Sequence, residues 1–168
     1  AVPSRTDIEA YDQLSEKVER MAWSINERYR TETWTPIHLL KESLPAERLA
    51  LYYRMADVCV ISSLQDGMNL VAKEFVASQL DNRGVLMLSK FAGAIEEMDG
   101  CIPINPYDPE ELAAHLDTAL TMPEDERRSR LAKLQQNMRS IYDWLDETFE
   151  LWGVAARKAE VPLSRADQ

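Results

Sequence analysis

Residues 58–79, VCVISSLQDGMNLVAKEFVASQ, decide the fold of this chain. They open with a β-branched run, which is typical of a parallel strand buried on both faces. A turn follows, and an apolar pattern from about Leu70 to Gln79 predicts a helix. In an open α/β sheet, ligands bind where the carboxyl end of a strand leads into the next helix. This stretch therefore predicts a parallel sheet and also the place of its site.

The alternation of strands and helices continues on both sides of this stretch. In chain order the sequence predicts helices at 7–30, 46–56, 70–79, 94–98, 109–120 and 123–159, and strands at 34–39, 58–63, 84–89 and 101–104. Such alternation implies parallel pairing with right-handed crossovers. We therefore predict an α/β fold, a Rossmann-like parallel sheet flanked by helices. The opening AVP is typical of the end of a strand, so we expect the first strand of the sheet to precede it.

Composition excludes several classes of partner. A net charge of −10 argues against nucleic acid, because phosphate binding needs clustered Lys and Arg. The longest apolar run is too short to span a bilayer and no signal peptide is visible, so we expect a cytoplasmic protein with no membrane partner. Cys59 and Cys101 lie in apolar runs without metal spacing, and His38 and His115 have no partner at ligand spacing. We expect buried free thiols and no metal.

The turn after the first buried strand carries groups that suit a phosphorylated sugar ligand. Gly67 lets a ligand approach the backbone closely or allows a positive φ. The N–H groups of residues 67–71 open the next helix and are expected to face an anion. Asp66 can accept hydrogen bonds from sugar hydroxyls, and Glu74, one turn beyond Leu70, can accept them from a ribose diol.

Each of these features also has a structural interpretation. Asp-Gly is a common turn dipeptide, and Asn69 is an ordinary helix N-cap, so a purely structural role for D-G-x-N stays open. Glu74 beside Lys73 is also typical of a solvated helix face.

The whole pattern resembles glycosyltransferase family 20, the trehalose-6-phosphate synthase family. The matching segments are PSRTDIEAY (3–11), WTPIHLL (34–40), ADVCVISSLQDGMNLVAKEFVASQ (56–79), GVLMLSKFAGAIEEM (84–98) and INPYDPEELAAHLDTALTM (104–122). The resemblance implies the carboxyl-terminal, donor-binding half of a GT-B glycosyltransferase, in which two Rossmann-like domains face a cleft. We expect this domain over residues 1–140, a helical segment that docks on the amino-terminal domain over residues 141–160, and a flexible tail over residues 161–168.

The resemblance also implies contacts between the turn and the donor, UDP-glucose. Gly67, Met68 and Asn69 are similar to the turn whose backbone lies against the sugar and the diphosphate. Leu70 and Val71 are similar in position to backbone donors to the diphosphate.

The side chains outside the turn are carried over in the same way. Asp66 resembles the acid that contacts the glucose hydroxyls, and Glu74 the residue that holds the ribose. Leu44 occupies the place where the backbone contacts the uracil, and Arg5 resembles the arginine that binds the acceptor phosphate. Lys90 departs from the family, since many members have an acid there. No catalytic residue is assigned to this half.

The activity that the resemblance implies is retaining glucosyl transfer from UDP-glucose to glucose 6-phosphate, giving trehalose 6-phosphate. It would need no metal or other cofactor and would require the amino-terminal domain of the same enzyme, so the isolated chain is predicted to be inactive. A homo-oligomer is left open. The alternatives are a glucosylglycerol-phosphate synthase or a pseudo-glycosyltransferase with another acceptor, and a non-catalytic regulatory subunit of a trehalose synthase complex.

Overall fold

The computed structural model describes residues 9–138 of the chain, which divide into two compact units at the Leu49–Ala50 bond. The elements in chain order are α1 (Glu9–Tyr29), α2 (Ala46–Met55), β1 (Val58–Ile61), α3 (Leu70–Ser78), β2 (Val85–Ser89), a 3-10 helix (Gly93–Glu96), β3 (Ile102–Ile104), α4 (Pro109–Thr121) and α5 (Glu124–Asn137). The predicted elements are confirmed within a few residues, with the exceptions given below. The predicted docking segment 141–160 and the tail 161–168 lie outside the described residues.

The strand predicted at residues 34–39 is wrong, and the first unit shows why. The Asn26 side chain on α1 binds both backbone groups of Ile37: its Nδ2 donates to the Ile37 carbonyl at 2.9 Å, and its Oδ1 accepts from the Ile37 N–H at 2.9 Å. Pro36 has no N–H group and so cannot donate a hydrogen bond to a neighbouring strand. Because a side chain satisfies the backbone here, the segment needs no neighbouring strand and stays irregular.

The second unit contains a three-stranded parallel sheet in the order β1-β2-β3. Val58 pairs with Val85, and Met87 pairs with Ile102. Every residue of β2 is buried, as predicted for a central strand, whereas Val60 of β1 is 42% exposed. The prediction that β1 is buried on both faces is therefore wrong. In the described part of the chain β1 is an edge strand, so the helices cover it only in part.

Helices cover the two faces of the sheet, as the α/β prediction requires. On one face, Leu86 and Leu88 pack in a cluster with Phe75 of α3 and with Leu131 and Leu134 of α5. On the other face, Met87 and Ile104 pack with residues that include Ala119 of α4. This arrangement confirms the α/β fold with a Rossmann-like parallel sheet.

The carboxyl-terminal helices start as predicted, but the last one ends early. Asp108 caps α4 by accepting from the N–H groups of Glu110 and Glu111, and Pro109 takes the first helical position, where its missing N–H costs nothing. Pro123 precedes α5, which ends at Asn137 because Met138 has an extended backbone, with φ −72° and ψ 109°. The predicted helix does not continue through Met138, and its remainder to residue 159 lies outside the described residues.

Both cysteines are free thiols. Cys101 is buried and Cys59 is half-buried on β1. Desolvation by burial raises the pKa of each thiol from 9.0 to about 11. The thiols therefore stay protonated at neutral pH. The prediction of buried free thiols is confirmed for Cys101 and only in part for Cys59.

Gln79, at the end of α3, is hydrogen-bonded to three other segments of the chain. Only 2% of this residue is exposed. Its Oε1 accepts from the Gly84 N–H at 3.0 Å, and its Nε2 donates to the Tyr53 carbonyl. Its own backbone carbonyl accepts from Gln135 Nε2 at 3.0 Å. The Gln79 side chain therefore joins α3 to α2 and to the loop before β2, and its backbone carbonyl joins α3 to α5.

Replacing this amide by an apolar side chain of similar size should destabilise the chain. Gln79→Leu leaves the buried Gly84 N–H without a partner and removes one of the two hydrogen bonds of the Tyr53 carbonyl, and we expect the free energy of unfolding to fall by about 1–3 kcal/mol. Gln136→Leu, on the exposed face of α5, is the matched control and should change it by less than about 0.5 kcal/mol. Urea unfolding followed by circular dichroism measures both. Equal stability of the two variants would contradict this role of Gln79.

Candidate functional site

The turn between β1 and α3 is held by the loop that follows β2. The Asp66 N–H donates to the Phe91 carbonyl at 3.2 Å, the Gly93 N–H donates to the Asp66 carbonyl at 2.8 Å, and the Ala94 N–H donates to the Met68 carbonyl at 2.9 Å. Three backbone hydrogen bonds thus join the two loops at the carboxyl edge of the sheet. They fix the position of the turn that the sequence predicts to bind the ligand.

Two serines that the sequence interpretation missed support this junction. Ser89, the last residue of β2, is fully buried. Its hydroxyl donates to the Ser63 carbonyl at 2.6 Å and accepts from the Phe91 N–H at 3.1 Å. The signal in the sequence is a hydroxyl at the end of the otherwise apolar run GVLMLS.

The Asp66 carboxylate is partly used inside the turn. Its Oδ1 accepts from the Met68 N–H at 3.1 Å, and its Oδ2 accepts from Asn69 Nδ2 at 2.9 Å. The structural interpretation of D-G-x-N is therefore present in the fold. A carboxylate has about four acceptor positions, so a half-buried Asp66 keeps the capacity to bind hydroxyls as well.

The positive φ in this turn belongs to Asn69 and not to Gly67. Asn69 has φ 74° and caps α3 through its Oδ1, which accepts from the Ala72 N–H at 2.9 Å. Its Nδ2 also lies 3.4 Å from Ser63 Oγ. A left-handed conformation costs a non-glycine residue about 1 kcal/mol or more, which these side-chain hydrogen bonds offset.

The backbone at the start of α3 is open to a ligand. Within residues 9–138, the N–H groups of Leu70 and Val71 have no acceptor, and both residues are exposed. A Cβ atom added at Gly67 would meet no atom within 4 Å, so the backbone of Gly67 is also accessible to a ligand. The Met68 N–H is different, since Asp66 already occupies it. The amino end of a helix dipole favours an anion at this place.

Glu74 lies on the exposed side of α3 and accepts a hydrogen bond from Tyr53 on α2, with 3.2 Å between the phenol oxygen and Oε2. Burial, and then the hydrogen bond to Glu74 and its negative charge, raise the pKa of Tyr53 from 10.0 to about 12. The neighbouring Lys73 forms an ion pair with Glu97 at 3.0 Å. The sequence interpretation missed Tyr53, because nothing local in the sequence marks it as a partner of Glu74.

The other predicted residues do not all fall in the second unit. Leu44 is half-buried in the first unit, in the segment before α2. Arg5 lies outside the described residues. Lys90 follows β2 and pairs with Glu111 of α4 at 3.3 Å.

Two cavities in the second unit lie away from these residues. One, of about 430 Å³, is lined by Arg83, Met122, Glu124, Arg127 and Arg128. The other, of about 440 Å³, is lined by Leu51, Arg54, Met55, Ala56, Asp57, Gln79, Asp81 and Arg83. The Arg127 guanidinium is already occupied, because it donates to the carbonyls of Leu120 at 2.7 Å and Met122 at 3.0 Å at the end of α4. We therefore place the candidate site at the carboxyl edge, where the open amides lie.

Two further searches concern metals and membranes. Among the described residues, no three His, Cys, Asp or Glu side chains are grouped to hold a metal ion. No helix within residues 9–138 has the length and apolar character needed to cross a membrane.

The fold and the turn define a Rossmann-like α/β domain with an open helix amino terminus at the carboxyl edge of its sheet. The sequence model of glycosyltransferase family 20 matches residues 1–151. The chain belongs to glycosyltransferase family 20. The family resemblance stated above is thereby confirmed.

Individual relatives agree with this membership. The chain is 42% identical over 153 residues to the Schizosaccharomyces pombe alpha,alpha-trehalose-phosphate synthase [UDP-forming]. This match covers 91% of this chain and 29% of that protein. It is 44% identical over 150 residues to a glucosylglycerol-phosphate synthase of Pseudomonas anguilliseptica, covering 87% of this chain and 20% of that protein. The chain thus spans less than a third of the length of either relative.

A solved structure gives the same picture at the level of the fold. The E. coli trehalose-6-phosphate protein bound with UDP-2-fluoro glucose superposes with a TM-score of 0.81 at 41% sequence identity. The match covers 88% of this chain and 33% of that one.

The junction of the two loops can be tested at a glycine. A Cβ atom at Gly93 would lie 2.2 Å from the Gly67 carbonyl oxygen, so Gly93→Ala must push the turn away from the sheet edge. We expect a loss of about 1–3 kcal/mol in the free energy of unfolding. Gly67→Ala is the matched control, because its Cβ meets open space and its φ is not positive. Thermal unfolding of both variants provides the measurement, and a Gly93→Ala variant as stable as Gly67→Ala would argue against the tight junction.

Proposed function

We propose that this chain is the donor-binding half of a retaining glucosyltransferase that makes trehalose 6-phosphate from UDP-glucose and glucose 6-phosphate. The observation that carries the proposal is the open first turn of α3, between the carboxylates of Asp66 and Glu74, in a member of glycosyltransferase family 20. The S. pombe relative is named a UDP-forming trehalose-phosphate synthase, and this name supports a UDP-sugar donor here. The bound UDP-2-fluoro glucose of the E. coli protein supports the same donor class here.

The chemistry asks this half to stabilise a leaving group. As the glycosidic bond to the diphosphate breaks, negative charge builds on the phosphate oxygens. The N–H groups of Leu70 and Val71 and the amino end of the α3 dipole are preorganised donors for that charge. No metal is needed for this role. The backbone of residues 67–69 would lie against the sugar and the diphosphate.

The two carboxylates bind and orient the donor in this proposal. Asp66 accepts hydrogen bonds from the glucose hydroxyls with the acceptor positions that the turn leaves free. Glu74 accepts from the ribose hydroxyls. Leu44 would contact the uracil through its backbone, and Arg5 would bind the acceptor phosphate. Neither carboxylate acts as a nucleophile, since both have binding roles.

Turnover requires more than this half. Positioning two substrates supplies much of the rate of a bimolecular transfer, and one side of a cleft cannot do it. The chain spans less than a third of its S. pombe relative, so we infer that the amino-terminal domain of the same enzyme completes the cleft and that the isolated chain does not catalyse. The cytoplasm stays the predicted location.

The proposed role of Asp66 can be tested by comparing the affinity for UDP-glucose, which carries the sugar, with the affinity for UDP, which lacks it. Asp66→Asn in the full-length protein should weaken UDP-glucose about tenfold more than it weakens UDP, because the sugar contact loses its charged acceptor, whereas the loss of one hydrogen bond inside the turn affects both ligands. Asp117→Asn removes the same charge from the exposed side of α4 and should affect neither ligand. Isothermal titration calorimetry measures both affinities. Unchanged UDP-glucose affinity in Asp66→Asn would remove Asp66 from the donor site.

The acceptor is tested by turnover of the full-length protein. We expect release of UDP with glucose 6-phosphate and at most about a hundredth of that rate with glycerol 3-phosphate, since a pocket built for one acceptor leaves polar groups unpaired with another. The reverse preference would favour the activity in the name of the P. anguilliseptica relative. UDP binding without turnover on either acceptor would favour a pseudo-glycosyltransferase or another acceptor. Absence of UDP binding would favour a regulatory subunit.

A further inference from the structure

We propose that Tyr53 is a positioning residue for Glu74, whose carboxylate it holds in the orientation that receives the ribose hydroxyls. This inference rests on the proposed function, because it assumes that Glu74 binds the ribose of the donor. It adds a residue of a different helix, α2, to the determinants of donor affinity.

The first step is the geometry of the pair. The Tyr53 hydroxyl donates to Glu74 Oε2 at 3.2 Å. The contact leaves Oε1 and part of Oε2 for another donor, and a ribose presents two neighbouring hydroxyls.

The second step is that the core fixes the tyrosine itself. Its ring meets the ring of Phe75 edge-on, with centroids 6.4 Å apart and an interplanar angle of 89°. Phe75 is fully buried, and the Tyr53 carbonyl is bound by the buried Gln79 amide. These contacts hold both the ring and the backbone of Tyr53 in place. The Tyr53 hydroxyl can therefore orient the exposed side chain of Glu74.

The third step is the benefit to binding. An exposed glutamate loses rotamer entropy when a ligand orders it. A hydrogen bond that restricts the side chain beforehand lowers that loss at the moment of binding. The raised pKa of Tyr53, about 12, keeps the phenol a donor at any pH used for an assay.

The effect should fall on affinity and not on the chemical step. The ribose lies away from the reacting carbon of the sugar, so its contacts are the same in the ground state and the transition state. We expect Tyr53→Phe in the full-length protein to raise the KM for UDP-glucose about three- to tenfold, the contribution of one hydrogen bond, with kcat unchanged. The phenylalanine ring keeps the edge-on contact with Phe75.

The decisive measurement compares two nucleotides in the same variant. Calorimetry of UDP and of 2′,3′-dideoxy-UDP is carried out on the full-length protein and on its Tyr53→Phe and Glu74→Gln variants. Tyr53→Phe should bind UDP about three- to tenfold more weakly and dideoxy-UDP within about twofold of the unmodified protein. Because both nucleotides meet the same protein sample, a loss of folded protein cannot produce this difference. Tyr29→Phe, which removes a hydroxyl from an exposed tyrosine of α1, is the matched control and should bind both nucleotides as the unmodified protein does.

The outcomes separate this inference from the function on which it rests. If Glu74→Gln weakens UDP but Tyr53→Phe does not, or if Tyr53→Phe weakens both nucleotides equally, the positioning role is wrong and the donor site stands. If the unmodified protein does not bind UDP, or if Glu74→Gln binds it normally, the assignment of Glu74 is itself overturned.

Discussion

The candidate site depends on the three backbone hydrogen bonds that tie the turn after β1 to the loop after β2. Residues 64–69 have no regular structure of their own, so their position is decided by what they pair with. The Gly93 N–H reaches the Asp66 carbonyl at 2.8 Å only because residue 93 has no Cβ atom to meet the Gly67 carbonyl oxygen. The proposed donor contacts of the turn itself, from the backbone of Gly67 to the amides that open α3, therefore depend on this junction.

Local patterns predicted those parts of the fold that local forces determine. The apolar run of β2 and the apolar pattern of α3 both led to the observed elements. The segment at residues 34–39 failed because a strand is defined by its partner. Asn26, on the preceding helix, supplies both hydrogen bonds that a strand would have given Ile37. The residue pattern of the segment itself cannot show that a side chain 11 residues away will bind its backbone.

The sequence predicted which residues lie in the turn, but it did not predict which hydrogen bonds each of them makes. The turn D-G-x-N allowed a structural interpretation and a ligand-binding interpretation, and the structure shows that Asp66 and Asn69 do hold the turn together. These roles are compatible, since a carboxylate that accepts two hydrogen bonds can accept more. Tyr53, by contrast, lies 21 residues from Glu74 in the sequence, and only the packing of α2 beside α3 brings its hydroxyl to that carboxylate.

An acidic chain can still bind a diphosphate, because the groups that face the anion need not be charged. The lysines nearest the turn are already paired, Lys73 with Glu97 and Lys90 with Glu111. What remains at the start of α3 is a pair of open amides and the helix dipole, which attract an anion but offset only part of its charge. The proposed acids, Asp66 and Glu74, would serve as acceptors for hydroxyls and so belong beside the sugar and the ribose. Full neutralisation of the diphosphate would then need cations other than Lys73 and Lys90.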